Sequence, residues 1–141
     1  MWHMLWPVLM IVASDTAYNL LTKSTPEKIN PYFSLFFAYV TAAVAAVVMF
    51  FLTRNGSGVM ENFRQLNASS LGLGFAILFL ETGYIYMYRA GWKVSLGSLV
   101  AHITLAVILL VIGALVFRET ITLRQGLGAM LCVAGLVFLN L

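Results

Sequence analysis

Charge is what this chain has least of. Charged residues make up 9% of its 141 residues and hydrophobic ones 62%, whereas a domain built for water carries roughly a quarter charged residues. Such a surface cannot be kept in water, and the solvent it is built against is lipid. Cysteine is nearly absent as well. Cys132 stands alone in an apolar run, which excludes an intrachain disulfide. The sequence has no metal-ligand cluster, nucleophile motif or phosphate-cradling glycine loop, so neither an enzyme nor a metal or cofactor is expected. Its net charge of +3 is spread in ones and twos between apolar runs, the placement of membrane-flanking charge and not of a nucleic-acid interface. The start, Met1-Trp2-His3-Met4, lacks the basic region of a signal peptide, so the first apolar segment is expected to be retained. Asn67-Ala68-Ser69 matches a glycosylation triplet, but that pattern is too common by chance to carry an argument. No internal repeat occurs.

What is present is hydrophobic length. Five apolar segments are expected over residues 4–21, 32–52, 71–88, 95–117 and 123–141, each near the ~20 residues needed to cross ~30 Å of hydrocarbon. The runs are continuous, without ten-residue alternation, so they predict helices and not barrel strands. Trp2 and Trp6 are expected as interfacial anchors of the first segment, and Pro7 is placed in its first turn, where a missing N–H costs little. Two prolines and three charges set a loop over 23–31. A second loop runs from Arg54 through Glu61 and Arg64 to Ser70. Arg89-Ala90-Gly91-Trp92-Lys93 is a tight turn, Arg118-Glu119 ends the fourth segment, and Thr122 with Gln125 predicts a capping box for the fifth.

Five crossings put the two termini on opposite sides of the membrane. The N-terminal side then receives Arg54, Arg64, Arg118 and Arg124, and the other side Lys23, Lys28, Arg89 and Lys93. The positive-inside rule works through an excess on one side. A four-to-four balance supplies none, so the expected topology is dual, with copies inserted both ways.

Three ionisable side chains fall inside the apolar runs: Asp15, Glu81 and His102. At a rise of ~1.5 Å per residue, Asp15 lies about 16 Å and Glu81 about 15 Å from the N-terminal side, and His102 about 10 Å from the other. All three are therefore placed within about a turn of the midplane. Each has polar company at helical spacing. Asp15 has Tyr18 and Asn19, Glu81 has Tyr84 and Tyr88, and His102 has Ser98 and Ser95. Lipid cannot satisfy such a stripe, so it must face the bundle interior or a wet cavity. Intramembrane carboxylates usually mark pathways, and a carboxyl group in an apolar medium favours its protonated form. The candidate substrate and proton site is accordingly Glu81, Asp15, Tyr84, Tyr88, Asn19, Tyr18, His102, Ser98 and Trp92. The competing reading is a hydrogen-bonded network that only fixes helix packing; for His102 among serines it stands at least level. Tyr84, Tyr88, Trp92, Tyr18 and Tyr39 could line a pocket for an organic, even cationic, molecule. Tyr86 points away from the stripe and reads as a packing or interfacial tyrosine.

Small residues recur every four positions at Ala38, Ala42 and Ala46, and at Gly97 and Ala101. In the fifth segment Gly128 and Gly135 lie seven apart with Cys132 between them; such small residues let helices approach closely. That segment reads as a packing or dimer helix and not a pathway helix.

The C-terminal half carries a resemblance. Arg89-Ala90-Gly91-Trp92-Lys93-Val94-Ser95-Leu96-Gly97-Ser98-Leu99, then Phe117-Arg118-Glu119-Thr120-Ile121-Thr122-Leu123-Arg124-Gln125-Gly126-Leu127-Gly128-Ala129, then Ala134-Gly135-Leu136-Val137 resembles the EamA domain of the drug/metabolite transporter superfamily. It covers all five segments in spacing and about the last fifty residues in motif. Arg118 stands where the family pattern has glycine before Glu119. Most members carry two inverted five-helix domains in one chain. The resemblance therefore implies that this single copy acts as an antiparallel homodimer rebuilding a ten-helix bundle, as the balanced loop charges suggest independently. The expected function is that of a small secondary transporter in the inner or plasma membrane, exporting a small organic or drug-like compound by alternating access, with protons as the coupling ion. Small multidrug resistance proteins, an analogous four-helix group, carry an essential glutamate in their first helix. Here that helix holds Asp15, and Glu81 lies in the third, so the coupling residue does not transfer by position. The alternative is a non-transporting membrane subunit that packs against a partner protein and supports it.

Overall fold

A computed structural model of the chain describes residues 2–54, 56 and 58–140, with side chains described from residue 5 to 138. The expected anchor Trp2, the loop residues Asn55 and Ser57, and the end of the last segment at Leu141 lie outside the described residues. Among the described residues the chain forms six helices and no strand: α1 (Trp2–Ser24), α2 (Pro31–Thr53), α3 (Val59–Arg64), α4 (Ala68–Arg89), α5 (Val94–Leu115) and α6 (Leu123–Asn140). The five expected segments overlap α1, α2, α4, α5 and α6, with α5 ending at Leu115, two residues short of the expected 117. α3 corrects the expectation of an unbroken loop from Arg54 to Ser70. Glycines at 56 and 58 gave that stretch the look of a loop, but Val59-Met60-Glu61-Asn62-Phe63-Arg64 contains no breaker, and Gly58 serves as its N-cap.

Helix ends are set by identifiable caps. The Asn30 side chain accepts from the backbone N–H of Tyr32 at 2.9 Å and of Phe33 at 3.4 Å, with Pro31 at the first helical position of α2, satisfying donors that would otherwise be orphaned. Asn67 caps α4 by accepting from Ser69 N–H at 3.1 Å, which gives the asparagine of the glycosylation-like triplet a structural task. The expected capping box forms: Gln125 Oε1 accepts from Thr122 N–H at 2.8 Å, and Thr122 Oγ1 accepts from Gln125 N–H at 3.4 Å. Pro7 departs from expectation. α1 begins at Trp2, so the proline lies inside the helix and not at its opening turn.

Gly91 ends α4 at φ +93°, a left-handed conformation that glycine adopts without penalty. After α5, Arg118 adopts φ +54°, which explains why glycine is the pattern at this place and arginine the departure. The turn closes with Glu119 N–H donating to the Gly113 carbonyl at 3.0 Å.

Among the described residues three helices are long and apolar enough to cross a membrane: α2, α4 and α5, with mean hydropathies of 2.5, 1.4 and 2.5. α6 is apolar but shorter, over Leu123–Phe138. α1 has the length, 23 residues, but Ser14, Asp15, Thr16 and Asn19 lower its hydropathy. Large apolar side chains lie exposed along these helices, as Leu52 and Phe79 do. Threonine hydroxyls along them return to the carbonyl four residues back, as Thr41 does to Phe37 at 2.9 Å and Thr82 to Leu78 at 2.7 Å. Donors satisfied within their own helix suit a surface facing lipid.

The described chain divides into two compact units, Met1–Gly91 and Trp92–Leu141. In the first, α4 packs against both α1 and α2. In the second, α5 packs against α6. The most buried side chains of the first unit are Leu35, Ile85, Tyr88 and Asn19, so its core is organised around a polar joint.

Candidate functional site

The joint is made where α1 meets α4. Asn19 Nδ2 donates to the Asp15 carbonyl at 2.8 Å and to Asp15 Oδ1 at 3.2 Å, the i, i+4 reach of one helical turn. Its Oδ1 accepts from the Tyr88 hydroxyl on α4. Asn19 is 4% and Tyr88 3% exposed, so both amide atoms of Asn19 are committed, the oxygen to a buried partner and the nitrogen to half-buried Asp15. One turn on, Lys23 Nζ donates to the Tyr88 carbonyl at 3.1 Å and lies 5.9 Å from the centroid of the Tyr88 ring. Beside it, an Arg89 Nη donates to the Pro26 and Ile29 carbonyls, at 3.2 and 2.6 Å. The C-terminal ends of α1 and α4 and the start of α2 are therefore on one side, as alternating antiparallel crossings require.

Glu81 is half-buried on α4, a helical face shared with Tyr84 and Tyr88. The rings of Tyr18 and Tyr84 meet edge to face at 5.5 Å and 83°, and those of Tyr84 and Tyr88 lie 6.1 Å apart. This aromatic ladder joins α1 to α4. Asp15 acts electrostatically on Tyr84 and Tyr88, and Glu81 on Tyr18 and Tyr39. The Tyr39 hydroxyl, contributed by α2, is buried and interacts with the Glu81 carboxyl. Neither it nor the Tyr18 hydroxyl closes a hydrogen bond of ordinary geometry. Glu81 is the polar neighbour of the Tyr39 hydroxyl and Thr22 that of the Tyr18 hydroxyl, so two buried hydroxyls stand close to the carboxyl group, placed to help orient a ligand's polar group.

Glu81 and Tyr18 face a cavity of about 220 Å³ between α1, α2 and α4. Thr22, Thr25 and Ser34 add hydroxyls to its wall, and Leu35, Ala38 and Ile85 its apolar part. Ala38, read from the sequence as a close-packing residue, leaves space at this cavity. A smaller cavity of about 70 Å³ shares Thr22, Thr25 and Ile85 with it and is lined also by Lys23, Glu27 and Arg89.

The first unit thus brings together Asp15, Tyr18, Asn19, Glu81, Tyr84 and Tyr88. His102, Ser98 and Trp92 belong to the second unit. There His102 Nδ1 lies 2.7 Å from the Ser98 carbonyl and 3.2 Å from Ser98 Oγ. His102 also edges an otherwise apolar cavity of about 340 Å³ with Ile103, Ala106, Val107, Leu110, Ala129 and Cys132. Tyr86 is exposed, as its place off the stripe predicts. Tyr39, expected only as one of five aromatics of a pocket, stands beside Glu81, a meeting that depends on how α2 packs on α4. Lys23 was read as a loop charge, and its i+4 spacing from Asn19 could have placed it on the joint. A Cβ at Gly128 or Gly135 would meet nothing within 4 Å, so among the described residues no neighbour approaches there.

Among the described residues no group of histidine, cysteine, aspartate and glutamate could hold a metal. No curated protein and no solved structure matches the chain. The family model of the EamA-like transporter family matches residues 3–141. The chain belongs to that family, a membrane transporter family of the drug/metabolite superfamily.

Proposed function

We propose, from membership of the EamA-like transporter family, that this protein is a secondary exporter of a small organic molecule, with Glu81 as its coupling carboxylate. The cavity between α1, α2 and α4 carries this reading. It has one carboxyl group, the Tyr18 ring and three further hydroxyl residues on its wall, the mix of apolar surface and few polar groups that orients a small ligand. A carboxyl group in such surroundings gives up its proton when it pairs with a cationic group of a ligand, so proton and cation compete for it. That competition is what couples two fluxes. Asp15, one joint away, supports the ladder on which Glu81 sits.

At about 220 Å³ the cavity is smaller than the roughly 300–1,000 Å³ of ordinary ligand sites. A second, inverted copy would supply the other half and complete a ten-helix bundle in which α1 and α6 also cross the membrane. The single domain 1–141 would then alternate between two conformations, as inverted repeats do. The balanced loop charges support insertion in both directions, into the inner or plasma membrane, with lipid, substrate and the second copy as its partners. His102, Ser98 and Trp92 are proposed to line the pathway from the second unit.

The test is substrate-driven proton flux in liposomes. A compound that raises the thermal stability of the purified protein is expected to drive proton movement with wild type and none with Glu81→Gln. Flux in the variant with unchanged pH dependence overturns the coupling role. The alternative reading, a non-transporting subunit, draws support from the open glycine face of α6, and predicts that Asp15, Glu81 and His102 all tolerate neutral polar replacement.

A further inference from the structure

We infer that α3 lies in the membrane surface, with Val59, Met60 and Phe63, together with Leu66 just beyond its end, inserted at the boundary between headgroups and acyl chains. At 100° per residue the three helical positions, Val59, Met60 and Phe63, fall within about a third of the helix circumference. Glu61, Asn62, Arg64 and Gln65 occupy the remainder. The apolar face covers nothing in the chain: Val59 is 54%, Met60 65%, Phe63 68% and Leu66 60% exposed. Loop residues facing water would not present that surface, and a short helix held by so few contacts needs another source of order.

The occupant of this face is fixed by chain length. α4 runs for 22 residues, about 33 Å of helix, which matches the hydrocarbon thickness of ~30 Å and puts its first residue at the boundary. Gln65, Leu66 and Asn67 alone separate α3 from α4. Three extended residues span at most about 10 Å, and the headgroup layer on each side is itself about 5–8 Å deep. On its other side α3 follows the end of α2, a second span, after five residues. Tethered at both ends to the boundary, α3 is held at or close to the headgroup layer, and its apolar face has lipid within reach. Arg54 and Arg64, one before the helix and one at its end, suit anionic headgroups, and the Arg54 guanidinium lies 5.0 Å from the Phe51 ring at the end of α2. This placement is independent of the transport reading.

Spin labels on single cysteines test it. In a Cys132→Ser background, labels at Met60→Cys, Phe63→Cys, Glu61→Cys and Gln65→Cys are compared in bilayers for relaxation by oxygen and by a water-soluble nickel chelate. The oxygen-to-nickel ratio is expected to be several-fold higher at positions 60 and 63 than at 61 and 65. Equal ratios at all four positions, with strong nickel access, would make α3 a solvated loop. Positions 60 and 63 shielded from both reagents would place a second protein copy on the face, and would equally overturn the proposal. The wild-type chain gives a parallel reading: the Phe63 ring resonances should broaden with lipid spin-labelled near the headgroup and not with a soluble gadolinium chelate. Broadening by the chelate alone contradicts the inference.

Discussion

At the scale of single residues, two side chains show how burial decides cost. Asn19 spends its amide nitrogen on Asp15 and its oxygen on Tyr88. Tyr88→Phe removes the donor and leaves Asn19 Oδ1 buried and unpaired, a loss of about 1–3 kcal/mol. Unfolding of the purified variant in detergent should show that destabilisation, and Asn19→Ala with Tyr88→Phe together should cost less than the sum of the two single changes. Arg118 poses the opposite case. Its left-handed backbone costs an L-residue about 1–2 kcal/mol, while glycine there would give back about 0.4–1 kcal/mol in unfolded-state entropy. The strain is the larger, so Arg118→Gly is expected to stabilise the protein by up to about 1 kcal/mol, read as a higher melting temperature. The motif had shown that position 118 departs from its family. Only the φ angle explains why.

At the scale of elements, the long helices were legible because hydropathy over twenty residues outweighs any local ambiguity, and the capping box at Thr122 was legible because it is a short-range chemical pattern. The other caps extended α2 and α4 by one to three residues beyond the apolar runs, since Pro31 and Ala68-Ser69-Ser70 belong to a helix through its caps and not through hydropathy. α3 is not legible because a six-residue helix that follows two glycines has too little periodicity to register. The stripe of Glu81, Tyr84 and Tyr88 was legible as one face of one helix. Its partner Tyr39 was not, since that meeting depends on how α2 packs on α4. α6 offers a test at this scale. Gly128 and Gly135 have open space where a side chain would begin, so Gly128→Ala should leave the monomer intact and gain up to about 1 kcal/mol in helix propensity. If the face joins two copies, Gly128→Leu should shift the protein towards monomer, measured by crosslinking in membranes at fixed lipid-to-protein ratio.

At the scale of the whole molecule, few residues are buried and apolar side chains face outward, which is the inverse of a domain in water and follows from the scarcity of charge. The family match extends from residue 3 to 141, and the cavity that holds Glu81 measures only about 220 Å³ in one copy. The inverted-pair proposal requires that both orientations occur. Reporters fused to the C-terminus, active on one side of the membrane only, should each give signal, and neutralising Lys23 and Lys28 together should drive nearly all copies to one orientation, because it leaves a four-to-two excess of positive charge on the other side. One fixed orientation in wild type would leave an inverted homodimer without its second half.

The central claim is that Glu81 exchanges a proton for substrate within the α1–α2–α4 cavity. Its most direct measurement is proton release when a stabilising compound is added to purified protein in weakly buffered detergent solution. Wild type should release protons in proportion to compound bound, and Glu81→Gln should release none. Saturable binding by wild type with no proton released would contradict the claim.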